Sequence, residues 1–243
     1  MKILQREVKC SWLSIAIYLG LMAALCSLGF WQLNRAEQKK AFLAQQRAAI
    51  SAAVLDLNQQ ALGADISTYR YQNIQVSGHY DDAHQFLLDN QMMEGKPGYM
   101  VLSPFLIDGE QRAVLVNRGW LPLGINRQTL PDISIHSPVM HILGRINQFP
   151  GVGIKLAGAE IPTAGWPAVV QVINSQILAA KLSYDLYDFQ IELDAKETEG
   201  YKRQWQISTT IPPEKHQAYA VQWFGLALTL TALFFWITIR KTQ

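Results

Sequence analysis

The chain is poor in cysteine and in charged residues. Its 243 residues include two cysteines, Cys10 and Cys26, and charged side chains make up 16% of it, against about 25% in soluble domains. Two cysteines near one end exclude a disulfide framework, a CxxC redox motif, a CxxCH haem attachment and a thiolate metal site. The net charge of +2, without a basic stripe and interleaved aromatics, argues against nucleic acid as a partner.

Motifs of the common enzyme classes are also missing. The sequence contains no Gly-rich phosphate loop, no GxSxG, no HExxH and no nucleophile elbow. We therefore expect no enzymatic activity and no catalytic residue. A Ser–His–Asp set formed only in space stays open as an alternative.

Two long apolar runs are present, one near each end. Trp12 to Leu33 has 22 residues without a charge, and at about 1.5 Å per residue it can cross a hydrocarbon core of about 30 Å. Tyr219 to Ile239 has 21 such residues. The first run is too long for the core of a signal peptide. We predict transmembrane helices over 12–33 and, with the turn that leads into it, over 212–239.

Charge indicates the orientation of these spans. The short tails, 1–11 and 240–243, carry five cations: Lys2, Arg6, Lys9, Arg240 and Lys241. Basic tails favour the cytoplasmic side, so the residues between the spans are predicted on the opposite side. Of these, 34–68 is rich in Ala, Gln, Lys and Arg, and is predicted to be a helical stalk and connector that continues the first helix.

The remaining segment, 69–211, alternates strand patterns with turn signals. The strand candidates are Tyr71–Tyr80, Gln85–Asp89, Gly98–Ile107, Ala113–Trp120, Val139–Asn147, Ala168–Ile173 and Asp188–Leu193, with one short helix at Ser175–Leu182. Asp108-Gly109 suits the turn of a hairpin over Phe105–Val116. The predicted fold class is a membrane protein with two transmembrane helices flanking a mostly antiparallel β (α+β) extramembrane domain, either an open sheet or a small barrel.

Three segments resemble the Surfeit locus protein 1 family. They are GFWQLNRAEQK after the first span, the block Val76–Pro122 with its VNRGWLP end, and PPEKHQAYAVQWFGLA at the start of the second span. Their order and the plan of span, domain and span are also similar to the family. Two features depart from it: Gln38 stands before Lys39 where members often have tryptophan, and 158–198 matches nothing in the family.

The resemblance implies a non-catalytic assembly factor for cytochrome c oxidase that assists delivery of haem a to the catalytic subunit, or stabilises that subunit. The expected cofactor is haem a, bound transiently. The expected partners are oxidase subunit I, haem a synthase and membrane lipid. The expected location is a bacterial inner membrane with the central domain in the periplasm. The alternatives are a haem-free scaffold for oxidase subunits and a membrane-anchored periplasmic enzyme or sensor.

His216 is the candidate haem ligand. Pro213 suits the first position of a helix, and Glu214 suits the positive end of the helix dipole. A helix N-terminus disfavours imidazolium and so favours the neutral imidazole that ligates metals. The resemblance implies that His216 is an axial ligand of haem iron, and Tyr219 and Trp223 on the same helical face are candidate haem contacts. The alternative is an interfacial histidine that faces lipid headgroups.

Other residues carry weaker hypotheses. Arg118 of VNRGW is a candidate partner for a haem propionate, because a guanidinium suits carboxylates; the alternative is an internal ion pair at a strand end. His79 and His84 flank Asp81-Asp82, a pattern that we assign to a turn rather than to a metal site, and His136 and His141 are treated as structural. The small residues Ala16, Gly20 and Ala24 recur every four positions and favour close packing against another helix, either the second span or the oxidase.

Overall fold

The computed structural model describes residues 11–60, 66–124, 129–137, 139–151, 153, 156–205 and 211–239. Cys10 and the basic residues of both predicted tails lie outside this part of the chain. The chain divides into a helical unit, residues 1–45 and 207–243, and a β-rich unit, Gln46–Gln206.

The first long helix, α1, spans Trp12–Ser51, and the last, α3, spans Pro213–Thr238. Both are long and apolar enough to cross a membrane. The helix α1 passes from the charge-free run into the Ala- and Lys-rich segment without a break, because neither proline nor a capping residue interrupts it. The helix ends at Ser51, inside the segment 34–68 that was predicted as stalk and connector.

After the end of α1, the described residues of the β-rich unit form eight strands and one α-helix of eight residues. The strands are β1 Leu55–Asp56, β2 Asn73–Tyr80, β3 Phe86–Met93, β4 Lys96–Ile107, β5 Ala113–Pro122, β6 Val139–Asn147, β7 Ala168–Val170 and β8 Leu186–Leu193, and the helix α2 is Ser175–Leu182. They form one sheet in the order β1-β2-β6-β8-β5-β4-β3-β7, with a further pairing between β2 and β4.

The pairing of β2 with β4 closes five strands into a barrel. Around the ring, β2, β6, β8, β5 and β4 are neighbours, and only the contact between β5 and β8 is parallel. The barrel interior is apolar and includes Val76, Phe105, Val116, Ile142 and Ile191. Of the two predicted arrangements, the small and mostly antiparallel barrel is the correct one.

The strand β4 extends beyond the barrel. Its first half pairs with β3, and β3 in turn pairs with β7. A second apolar cluster lies there, with α2 packed on it through Leu178 and Leu182. Asn174 caps α2 by accepting hydrogen bonds from the backbone N–H groups of Gln176 and Ile177.

A β-bulge interrupts the register between β4 and β5. Val101 pairs with Gly119 and Leu102 pairs with Asn117, so Arg118 is the extra residue. Gly119 has φ +112°, in the region that favours glycine. The bulge turns the Arg118 side chain into the interior.

Most predicted strands match the structure within two or three residues. The strand over Val139–Asn147 and the helix over Ser175–Leu182 have the predicted bounds, and the hairpin turn contains Gly109 with φ +86°. The strand predicted over Ala168–Ile173 ends at Val170, because Asn174, four residues later, is the N-cap of α2. The two-residue β1 was not predicted.

Candidate functional site

The side chain of His216 lies in the first turn of α3 and is 8% exposed. Its Nδ1 atom is 2.7 Å from Oε1 of Gln32 on α1. His216 is therefore held against the other helix of the unit rather than turned outward.

The partner atom determines which nitrogen carries the proton. An amide oxygen only accepts hydrogen bonds, so Nδ1 of His216 donates to Oε1 of Gln32. In the neutral ring the other nitrogen, Nε2, then keeps its lone pair. Metal-bound histidines have this arrangement, in which one nitrogen is hydrogen-bonded and the other is the ligand atom.

The residues predicted to share the face of His216 divide into two groups. Ala220 and Ala227 are buried with it, whereas Tyr219 is 46% exposed and Trp223 is half-buried. The alanines allow close helix packing, and the two aromatic rings lie at the margin of the buried face. The roles of Tyr219 and Trp223 as haem contacts stay predictions.

Four contacts along the helix pair hold Gln32 and His216 in register. Gly29 packs against the ring of Phe224, and Phe30 meets the same ring edge-on at 5.4 Å between centroids. Further along, Tyr18 stacks on Phe234 at 4.3 Å, and its hydroxyl lies 3.1 Å from that of Thr231.

The small residues Ala16, Gly20 and Ala24 do not take part in this pairing. All three are exposed, and a Cβ placed on Gly20 meets no atom of the described residues within 4 Å. In the described residues this stripe therefore faces away from the close contacts between α1 and α3.

Arg118 lies inside the β-rich unit with 2% of its surface exposed. Its Nε donates to the carbonyl of Glu199 at 2.6 Å, and Nη1 donates to Gln85 Oε1 and the carbonyl of Ile133, each at 2.9 Å. Nη2 is 3.5 Å from the carboxylate of Glu199. This is the internal ion pair that the sequence offered as the alternative, and a propionate could reach the guanidinium only if these contacts opened.

The segment that follows β8 is held together by hydrogen bonds from one of its side chains to its own backbone carbonyls. The guanidinium of Arg203 donates to the carbonyls of Asp194, Ala195, Glu197 and Tyr201. Burial lowers the pKa of Arg203 and raises the pKa of Tyr80, whose ring lies 6.0 Å from the Arg118 guanidinium carbon. Arg118 thus joins this segment to β5 through Glu199, and Arg203 links carbonyls within the segment itself.

Four histidines lie in the β-rich unit. The turn predicted around His84 is present, and Nδ1 of His84 is 2.8 Å from the carboxylate of Asp81, which also accepts from the hydroxyl of Tyr184. His141 contacts the hydroxyl of Ser77 at 3.0 Å. His136, expected to have no acidic partner, is 3.8 Å from the carboxylate of Glu199, a neighbour 63 positions away. Among the described residues, no group of three or more His, Cys, Asp or Glu could hold a metal ion.

Gln32 is the site residue that the sequence analysis missed. It lies inside the charge-free run 12–33, and length and hydropathy define such a run without reference to a single amide. The available signal was a polar amide near the end of an apolar helix, since such a group needs a hydrogen-bond partner in or near a membrane.

Comparison with known proteins gives consistent matches along the chain. A SURF1-like protein of Rickettsia felis is 27% identical over 217 residues, covering 86% of this chain and 90% of the relative. Surfeit locus protein 1 of Xenopus tropicalis is 24% identical over 243 residues, with 90% and 73% covered. The yeast protein named cytochrome oxidase assembly protein SHY1 is 26% identical over 109 residues, with 43% and 28% covered. The profile of the SURF1 family matches residues 19–228, and the chain therefore belongs to the SURF1 family.

Proposed function

We propose that the protein is an assembly factor for cytochrome c oxidase and that it handles haem a on its way into the catalytic subunit, subunit I. The observation that carries the haem part is the hydrogen bond between His216 Nδ1 and Gln32 Oε1, which leaves Nε2 as the ligand atom. The oxidase part is supported by family membership and by the name of the yeast relative.

Haem a is the cargo in this proposal, and the residues present suit it. Haem iron commonly takes an axial histidine as a neutral imidazole, and His216 is held in that form by an acceptor at the other nitrogen. Tyr219 and Trp223, at the margin of the buried face, supply apolar surface for the porphyrin edge.

The proposed location is a bacterial inner membrane, with the β-rich unit in the periplasm. Basic residues in short tails favour the cytoplasm, and relatives of this chain occur in Rickettsia species. Protease added to spheroplasts should digest the β-rich unit, whereas a cytoplasmic β-rich unit would survive until the membrane is broken.

One observation favours a second function, a haem-free scaffold for oxidase subunits. A histidine that is 8% exposed and bonded to the opposite helix also suits a purely structural link between α1 and α3. In this case a deletion strain whose oxidase lacks haem a would be rescued fully by His216→Ala.

The haem proposal is tested on protein purified in detergent from cells that make haem a. We expect the absorption bands of bound haem in the wild type and their loss in His216→Ala. His136→Ala is the matched control, since that side chain is 87% exposed in the β-rich unit and should leave the bands unchanged. Equal haem content in wild type and His216→Ala would refute ligation by His216.

A further inference from the structure

The side chain that contacts His216 from the other helix is that of Gln32. Its amide is partly buried, and Oε1 is 2.7 Å from Nδ1 of His216, 184 positions away in sequence. Near a hydrocarbon core an unpaired amide is costly because water is scarce, so this bond satisfies a donor and an acceptor at once.

A histidine without such a partner has no defined tautomer. Either ring nitrogen can carry the proton, and the hydrogen bond made by one nitrogen decides which of them is free to bind a metal. Rotation of the ring about the Cβ–Cγ bond would also move Nε2 to the position that Cε1 occupied. A fixed acceptor at Nδ1 removes both ambiguities.

We infer that Gln32 is the positioning residue for His216: it holds the imidazole in the Nδ1–H tautomer and in one orientation, with the lone pair of Nε2 presented to a ligand. Residues that orient a metal-binding histidine in this way typically change metal affinity by about 10–100-fold when mutated. The consequence for haem rests on the proposed function, whereas the tautomer of His216 in the free protein does not.

The tautomer is measured directly by nitrogen NMR of histidine-labelled protein in detergent micelles. The chain has five histidines, and His216→Ala assigns the signal. We expect a protonated Nδ1 and an unprotonated Nε2 at His216 in the wild type, and a mixture of tautomers in Gln32→Met, which keeps the side-chain length but removes the amide acceptor.

Gln38→Met is the matched control for this substitution. Gln38 lies six positions further along α1, is exposed, and accepts from Arg35 at 3.1 Å. It should leave the His216 signal unchanged. An Nε2–H tautomer in the wild type, or the same tautomer in wild type and Gln32→Met, would overturn the inference.

Haem titration supplies the second readout. With haem a added to the detergent-solubilised protein, Gln32→Met should bind about 10–100-fold more weakly than the wild type. Gln32→Glu keeps an acceptor of equal length and greater negative charge, so it should raise the iron–imidazole stretching frequency of bound ferrous haem, and Gln32→Met should lower it. A wild type with the Nδ1–H tautomer but no affinity for haem would refute the proposed function and leave the inference about Gln32 intact.

Discussion

Gly29 of α1 packs so closely against the ring of Phe224 of α3 that only glycine fits at position 29. A Cβ placed on Gly29 would lie 2.6 Å from Cζ of the Phe224 ring, well inside van der Waals contact. The position is one turn before Gln32, so this close approach helps to set the distance at which Gln32 meets His216.

Gly29→Leu should therefore separate the two helices. Overpacking of a tight contact typically costs about 1–3 kcal/mol, and we expect a lower melting temperature of the detergent-solubilised protein, followed by helix circular dichroism. Phe224→Ala in the same chain should recover part of the loss, because it removes the ring that the new side chain meets.

Gly20→Leu is the control for this prediction. It makes the same change on the same helix at a position where the described structure has no atom within 4 Å of an added Cβ. Equal melting temperatures for Gly29→Leu and Gly20→Leu would show that the Gly29–Phe224 contact does not hold the pair together.

Arg118→Met should strongly destabilise the β-rich unit. Removing one partner of a buried ion pair leaves the other uncompensated and typically costs about 3–5 kcal/mol, and here the carbonyls of Glu199 and Ile133 also lose their donor. Denaturant unfolding of the full chain, followed by tryptophan fluorescence, measures the loss. Arg112→Met is the control, since Arg112 is exposed. Equal stability of both variants would contradict the internal role of Arg118. The hypothesis that Arg118 binds a haem propionate would then be the one to test.

Tyr184→Phe should loosen the turn around His84. The hydroxyl of Tyr184 donates to Asp81 at 2.8 Å, and burial, together with that bond, raises the pKa of Tyr184. Loss of the bond should cost about 1 kcal/mol, since one partner is partly exposed. A double-mutant cycle with Asp81→Asn isolates the pair; strictly additive effects would mean that the bond does not contribute.

Alkaline pH should weaken the barrel through Tyr187. Burial, and then the hydrogen bond that its hydroxyl donates to Glu110, raise the pKa of Tyr187 from 10.0 to about 12. The folded state thus favours the neutral phenol. Its contribution to stability is complete below the unfolded value near 10.0 and is lost as the pH rises through about 12.

The comparison with Tyr187→Phe isolates this effect from the other tyrosines. Between pH 10.0 and 12, the unfolding free energy of the wild type should fall more steeply than that of the variant, and the wild type should show one more late-titrating tyrosinate by ultraviolet absorbance. Parallel stability curves would exclude linkage through Tyr187.

Local patterns predicted the elements of the fold more completely than the candidate site. The strand Val139–Asn147 and the helix Ser175–Leu182 were bounded correctly because alternation, capping and turn residues act over a few positions. The two-residue β1 was not predicted, since two residues form no strand pattern and the partner strand β2 lies 19 positions further along the chain. His216 was found through the family resemblance, whereas Gln32 was not.

The sequence alone determined the two apolar helices, the strands between them and the family, because each depends on local composition or on motifs read in order. Tertiary structure alone decided three pairings: Gln32 with His216, Gly29 with Phe224, and Arg118 with Glu199. The members of each pair are 81 or more positions apart, so no local preference joins them. They meet because helix packing, and in the barrel the bulge at Arg118, place one side chain against the other.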